Sequence, residues 1–301
     1  GASYAWSRSA VAGISNTATT GSGNPNETLT NTTTAPINVT YVYTVSANGC
    51  TNASTYSVVV TVNPTPQLTS TLTPSAICSG TTFGYTPTSN TSGATYAWTR
   101  AAITSINGNT VGSGSGAVSE VLTNSSTSPV NVTYVYTVSA NGCTNASTYS
   151  VVVTVNPTPV LTSTVSPASI CSGSTFSYTP TSSTSGASYA WSRSAVAGIS
   201  NTAATGTGNP SEVLTNTTAD PVDVTYVYTV SANGCTNGTT YNVVVSVKPT
   251  PQLTSTLSPS SICSGSTFSY SSTSSTSGAT YAWSRAAVAG ISNTAATGSG
   301  N

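Results

Sequence analysis

Two kinds of residue in this chain are equipped for chemistry, and both recur at regular spacing. Six cysteines stand at Cys50, Cys78, Cys143, Cys171, Cys235 and Cys263, so that a short interval alternates with one more than twice as long. Arg8, Arg100 and Arg193 are each followed, at a nearly constant interval, by a glutamate: Glu27, Glu120 and Glu212. Thiolates can hold a metal, attack an electrophile or pair as disulfides, and a carboxylate beside a guanidinium can serve as an acid or base. A zinc shell needs four Cys or His ligands. The chain has no histidine and no Cys-x-x-Cys, so no metal or cofactor is expected. Paired cysteines in a charge-poor chain point instead to disulfides in an oxidising compartment.

The carboxylates are no better suited to catalysis. One glutamate per period lacks the second acid or base that hydrolysis requires. The expectation is a partly buried ion pair, Arg8–Glu27, Arg100–Glu120 and Arg193–Glu212, that fixes strand register. Asp220 and Asp223 occur once only, in "ADPVDV", too few oxygens for a repeating calcium site. Trp6, Trp98, Trp191 and Trp283 recur with the same period. They read either as sugar-stacking platforms or as core tryptophans flanked by Tyr-Ala on one strand, and the core role is expected. The Gly-Ser-Gly and Gly-Thr-Gly loops are followed by no lysine and are no phosphate cradle. No catalytic residue is assigned.

What must position these residues is a repeat. Gly-Ala-(Ser/Thr)-Tyr-Ala-Trp-(Ser/Thr)-Arg begins at Gly1, Gly93, Gly186 and Gly278, at intervals of 92, 93 and 92 residues. That period is long for a solenoid unit and fits one β-sandwich per repeat. Asn-Pro-Thr-Pro at 63–66 and 156–159 and Lys-Pro-Thr-Pro at 248–251 mark the boundaries. Two prolines in four residues make a short, stiff connector. The expected division is therefore two complete sandwiches, 67–158 and 159–251, between a rear part, 1–66, and a front part, 252–301. Half a sandwich leaves an apolar face open, so the sequence reads as a window on a longer array.

Charged residues make up 3 % of the 301, against roughly 25 % in ordinary globular chains, and net charge is zero. Such a chain has no electrostatic grip on nucleic acid or acidic lipid. No run of 18 apolar residues occurs, so membrane insertion is not expected. Hydrophobic residues still reach 37 %. They alternate with Thr and Ser: Val132, Tyr134, Tyr136 and Val138 fall on one strand face, and Tyr149, Val151, Val153 and Val155 on another. Around Ala-Asn-Gly-Cys-Thr-Asn the two runs read as a hairpin with a several-residue loop. Further strands are expected over Leu161–Val165, Phe176–Thr181, Tyr189–Arg193 and Glu212–Thr215. About seven short strands per period and no helical periodicity predict an all-β, immunoglobulin-like sandwich.

The motifs "ICSGSTFSYTP", "GASYAWSR", "VTYVYTVSANGCTN" and "VVVTVNPTP", in that order, resemble the PKD-like, immunoglobulin-like repeats of long Bacteroidota surface proteins. Trp-Ser-Arg stands where the better-known PKD signature has Trp-Asp-Phe-Gly-Asp-Gly. The resemblance implies a spacer or shaft in an adhesin-type protein, often exported by the type IX route.

Disulfide connectivity stays open at this point. Pairing within a repeat, Cys78–Cys143 and Cys171–Cys235, would close each complete unit and is favoured. Local pairing, such as Cys50–Cys78, would fold the chain back at the prolines. Neighbour linkage, Cys78 with Cys235, would suit ends brought together by stacking. Three functions follow in order. The first is a structural shaft at the cell surface, with neighbouring repeats as partners and lateral self-association as an option. The others are a multivalent glycan-binding array and a spacer for a secreted enzyme.

Overall fold

The tyrosine and valine runs decide the architecture. In the computed structural model, which describes residues 1–108 and 112–300, all regular elements are strands. The chain forms two compact units, Gly1–Pro157 and Thr158–Asn301.

The first unit opens with β1 (Ala2–Arg8), β2 (Thr19–Ser22), β3 (Ile37–Ala47), β4 (Cys50–Thr51) and β5 (Tyr56–Val62). They make one sheet in the order β2-β1-β3-β4, with β5 also paired to β3. There follow β6 (Ile77–Cys78), β7 (Thr81–Tyr85), β8 (Thr95–Arg100), β9 (Ile106–Gly108) and β10 (Ser113–Ser115). The unit closes with β11 (Val118–Asn124), β12 (Val130–Ala140), β13 (Cys143–Thr144) and β14 (Tyr149–Asn156). These later strands form two layers, β10-β8-β12-β14-β6 with β13 on β12, and β7-β11-β9. All pairings are antiparallel except β14 with β6.

Period-2 alternation gives this sandwich its core. Val132, Tyr134, Tyr136 and Val138 on β12 and Val151, Val153 and Val155 on β14 are fully buried, whereas Thr133, Val135 and Thr137 are half-buried. Phe83 and Leu122 face them from the second layer. Each such side chain contributes about 1.5–3 kcal/mol on burial. Rings interlock across the layers, Phe83 against Tyr134 at 5.4 Å and Tyr85 against Tyr136 at 5.5 Å.

The hairpin is tighter than its sequence suggests. Asn141 and Gly142, at φ of 51° and 79°, make a two-residue turn that places Ala140 opposite Cys143. Both turn residues need the left-handed region, which Asn-Gly tolerates. The extra residues come after β13. There Asn145 receives the Ser147 amide on its Oδ1 and donates its Nδ2 to Tyr149 Oη and to Pro66 O, both at 2.9 Å. Asn63 Nδ2 donates to Asn141 O at 2.7 Å. The proline connector at 63–66 is thereby tied to the hairpin.

The second unit repeats the plan with β15 (Ile170–Cys171), β16 (Thr175–Ser177), β17 (Ser188–Arg193), β18 (Ala204–Thr207), β19 (Ser211–Val213), β20 (Val222–Ala232), β21 (Cys235–Thr236) and β22 (Tyr241–Lys248). One layer is β15-β22-β20-β17-β18, with β21 on β20, and the other is β16-β19. Asn237 Nδ2 donates to Pro159 O at 2.9 Å, as Asn145 does to Pro66. The unit ends with the pair β23 (Ala282–Arg285) and β24 (Ala296–Ser299).

Two expectations need correction. Leu161–Val165 is not a regular strand. It lies between Pro159 and Pro167 and contributes isolated bonds, Thr162 N–H to Thr181 O and Val244 N–H to Val165 O. Of Phe176–Thr181 only Phe176 and Ser177 lie in a strand, β16. Trp283 is 46 % exposed, where Trp6, Trp98 and Trp191 are buried. Trp98 packs edge-on against Tyr134 of β12. Residues 252–300 contain no strand equivalent to β12 to offer such a ring.

Buried arginine clusters as the candidate functional site

The most polar part of each core is also the part with charges. Arg8 leaves the end of β1 and is 2 % exposed. Its Nε donates to Glu27 Oε2 at 2.9 Å and a terminal nitrogen to Glu27 Oε1 at 2.8 Å, a bidentate fork. The terminal nitrogens also donate to Thr17 O at 2.6 Å and Ser9 O at 3.3 Å. The geometry recurs in the second unit. Arg193 meets Glu212 at 3.0 and 2.9 Å and donates to Thr202 O and Ser194 O. Arg100 and Glu120, both buried, form the corresponding pair, with Nε 3.2 Å from Oε2.

A tyrosine completes each cluster. Tyr41 donates its hydroxyl to Glu27 Oε2 at 2.7 Å and Tyr226 to Glu212 Oε2 at 2.6 Å, and Tyr134 donates to Glu120 Oε2. Sequence reasoning missed this third member. The signal was present, since Tyr41, Tyr134 and Tyr226 follow Glu27, Glu120 and Glu212 at one constant interval. Hydrogen bonds from Arg8 and then Tyr41 hold the Glu27 carboxyl at about 2, well below the usual carboxylate range. Arg193 does the same for Glu212, lowering it. Burial pushes the Tyr134 and Tyr226 phenols far up, and the neighbouring glutamates add to it. At neutral pH Glu27 and Glu212 are therefore ionised, and the Tyr134 and Tyr226 phenols are neutral. Such groups neither accept nor release a proton at neutral pH.

A second buried polar feature also went unread. Asn124 Nδ2 donates to Ser128 O and Val155 O, both at 2.8 Å, while its Oδ1 accepts the Ser126 amide and hydroxyl. Asn216 repeats this with Asp220 O, Val247 O and Thr218. These amides tie the turn before the long strand to the end of its hairpin partner.

The tryptophans pack on glycine. A Cβ built on Gly206 would lie 2.5 Å from Trp191 Cζ2, and one on Gly114 would lie 2.4 Å from Trp98 Cζ2. The indole has no room to retreat into a filled core, so Gly206→Ala is expected to cost about 1–3 kcal/mol. Urea denaturation followed by Trp191 emission reads this directly; an unchanged midpoint would contradict the packing.

The cysteines depart from the favoured pattern. Cys78 and Cys235 are disulfide-bonded, whereas Cys50, Cys143, Cys171 and Cys263 are free. Within-repeat pairing is therefore not adopted, nor is Cys50–Cys78. The reason is geometric. Cys143 stands opposite Ala140 at the hairpin end of β12, and Cys78 lies beside Asn156 at the far end of β14. The 11 residues of β12 span roughly 36 Å at about 3.3 Å per residue, against disulfide Cα separations of about 4.4–6.8 Å. Among the described residues no group of three or more His, Cys, Asp or Glu is placed to hold a metal ion. No helix is long and apolar enough to cross a membrane.

Two-layer sandwiches of this kind, recurring along one chain, define a tandem immunoglobulin-like array. A family model described as the PKD-like domain matches residues 1–66, 75–159 and 168–251. The chain belongs to the PKD-like domain family. No curated protein sequence matches it. Among solved structures, the titin fragment I67–I69 in an E-to-A variant is 15 % identical, covering 83 % of this chain and 88 % of its own, with a TM-score of 0.38. The two-domain structure of DIP-gamma IG1+IG2 is 12 % identical and covers 62 % of this chain and 98 % of its own, at a TM-score of 0.32. An endo-fucoidan hydrolase variant of glycoside hydrolase family 107 is 12 % identical at a TM-score of 0.25, covering 81 % of this chain but only 39 % of its own. At scores this low the likenesses say nothing of shared function.

Proposed function

We propose that the chain is a structural spacer, a run of the shaft of an extracellular surface fibre or adhesin, and not an enzyme. One observation carries the reading: the repeated tryptophans, arginines and glutamates of the complete sandwiches are committed to their interiors. Trp98 and Trp191 are buried against glycine, and Glu120 and Glu212 are bound by arginine and tyrosine. Near-identical modules of this kind need only fold and abut their neighbours. The disulfide-bonded state of Cys78 and Cys235 supports an oxidising location outside the cell. The boundaries 1–66, 67–158, 159–251 and 252–301 then delimit mechanical units. The sequence motifs favour a Bacteroidota surface protein exported by the type IX route. Buried tryptophans offer no sugar-stacking platform, which favours the shaft over a glycan-binding array.

Stretching single molecules tests this reading. With the cysteines reduced, each complete module is expected to unfold in its own force peak, lengthening the chain by about 30 nm for some ninety residues. Featureless extension, or a shift of tryptophan emission on adding oligosaccharides, would contradict it.

A further inference from the structure

Each complete sandwich carries one sheet edge that is open and unguarded. In residues 67–158 it is β10, and among the described residues no strand pairs with its outer side. In residues 159–251 it is β18, in the same place. Backbone bonds fix which groups face outward. Gly116 donates its N–H to Tyr96 O at 2.9 Å, and Gly112 O accepts the Arg100 N–H at 2.8 Å. Alternate residues of an antiparallel strand bond to the same side, so Gly112, Gly114 and Gly116 turn inward. Ser113 and Ser115 therefore direct their N–H and C=O groups away from the sheet. On β18, Gly208 donates to Tyr189 O at 2.8 Å, which leaves Thr205 and Thr207 facing out. All four residues are exposed.

Proteins commonly guard such edges with lysine, proline or a bulge. Residues 112–116 read Gly-Ser-Gly-Ser-Gly and residues 204–208 read Ala-Thr-Gly-Thr-Gly, with neither charge nor proline. The inner side of each edge is already filled. Trp98 and Trp191 lie where a Cβ on Gly114 or Gly206 would point, at 2.4 and 2.5 Å. What remains to the outside is a neutral edge made of backbone.

We propose that these edges pair with the same edges of a second copy of the chain, joining sandwiches laterally by antiparallel strand addition. The second copy is the fitting partner because the edge is complementary to itself. Set antiparallel, Ser113 of one copy lies opposite Ser115 of the other. Each such pair exchanges both of its bonds, roughly four in all. Gly114 then faces Gly114 of the second copy at the close, non-bonded position, where Cα atoms approach to about 4.5 Å. Glycine suits that approach, and zero net charge adds no repulsion. The contact is isologous. One contact of this size is weak, but β10 and β18 give the chain two, and the second gains from the first. The inference rests on the complete sandwiches and does not depend on the shaft reading.

Hydrogen exchange on the whole 301-residue chain is the test. The Ser113, Ser115, Thr205 and Thr207 amides are expected to exchange freely in dilute solution and to slow as concentration rises. Ser115→Pro with Thr207→Pro removes outward donors and leaves the inward bonds of β10 and β18 in place. The Ser113 and Thr205 amides should then need about 10-fold more protein for the same protection, with tryptophan emission unchanged. Charge gives a second check. Ser115→Lys with Thr207→Lys should lose the protection, and mixing with Ser115→Glu, Thr207→Glu should restore it. Amides that exchange freely at every concentration would overturn the proposal. So would protection already present in monomers, or protection indifferent to both the proline and the lysine variants.

Discussion

Glu212→Ala is expected to lower the stability of the sandwich in residues 159–251 by about 3–5 kcal/mol, the usual result of removing one partner of a buried ion pair. The alanine leaves Arg193, 2 % exposed, with two donors facing an emptied space. It also removes the acceptor of the Tyr226 hydroxyl. The remaining bonds, to Thr202 O and Ser194 O, do not neutralise the guanidinium. Because folding stabilities of single domains run at about 5–15 kcal/mol, this one change takes a large share of the total. The double variant Arg193→Met, Glu212→Leu should recover much of the loss, since the desolvation of both charges disappears with them. Urea titrations of the three proteins decide. A single variant as stable as the parent, a result ordinary for surface substitutions, would mean that solvent reaches the pair.

The second large effect is alkaline. Burial raises the phenols of Tyr134, Tyr136, Tyr226 and Tyr228 far above the ordinary tyrosine value. A group with a raised folded-state pKa contributes stability that is fully present below its unfolded pKa, about 10, and is lost as pH climbs toward the folded value. Each such tyrosine removes about 1.4 kcal/mol per pH unit above 10. With two per complete sandwich, the loss reaches about 5 kcal/mol by pH 12. Phenolate absorbance and loss of β-sheet circular dichroism should therefore appear together, in one cooperative step above pH 10. Tyr228 has a single weak bond, to Gly208 O at 3.2 Å, so Tyr228→Phe should move that step upward. Phenolates forming near pH 10 in an intact fold would contradict the burial. On the acid side the sign reverses: the lowered Glu27 carboxyl stabilises above about pH 4.3 and loses its contribution as pH falls toward 2.

Much of this architecture is legible in the sequence because it rests on period-2 alternation. Val132, Tyr134, Tyr136 and Val138 announce a buried strand face, and Asn141-Gly142 announces the turn that reverses it. The all-β tandem class follows from these and from the period near 92. The spacing of Arg8 and Glu27 suggests an ion pair, but the tyrosine that joins it is hidden among 16 tyrosines with the same β-strand look. Spacing is weakest for the cysteines. Sequence intervals carry no information on which end of an 11-residue strand a thiol occupies, and that alone decides against Cys78–Cys143. Leu161–Val165 has a strand's composition, but it is tied to its neighbours by isolated bonds, Thr162 N–H to Thr181 O and Val244 N–H to Val165 O, rather than by a ladder.

We propose that each complete ninety-odd-residue segment closes its own interior. Expressing residues 159–251 alone, with Cys171 and Cys235 reduced, tests it most directly. A monomer that unfolds in one cooperative transition is expected, with Trp191 emission at the wavelength of a buried indole. A segment that stays unfolded alone, with solvent-exposed emission, would show that the core depends on residues outside those boundaries.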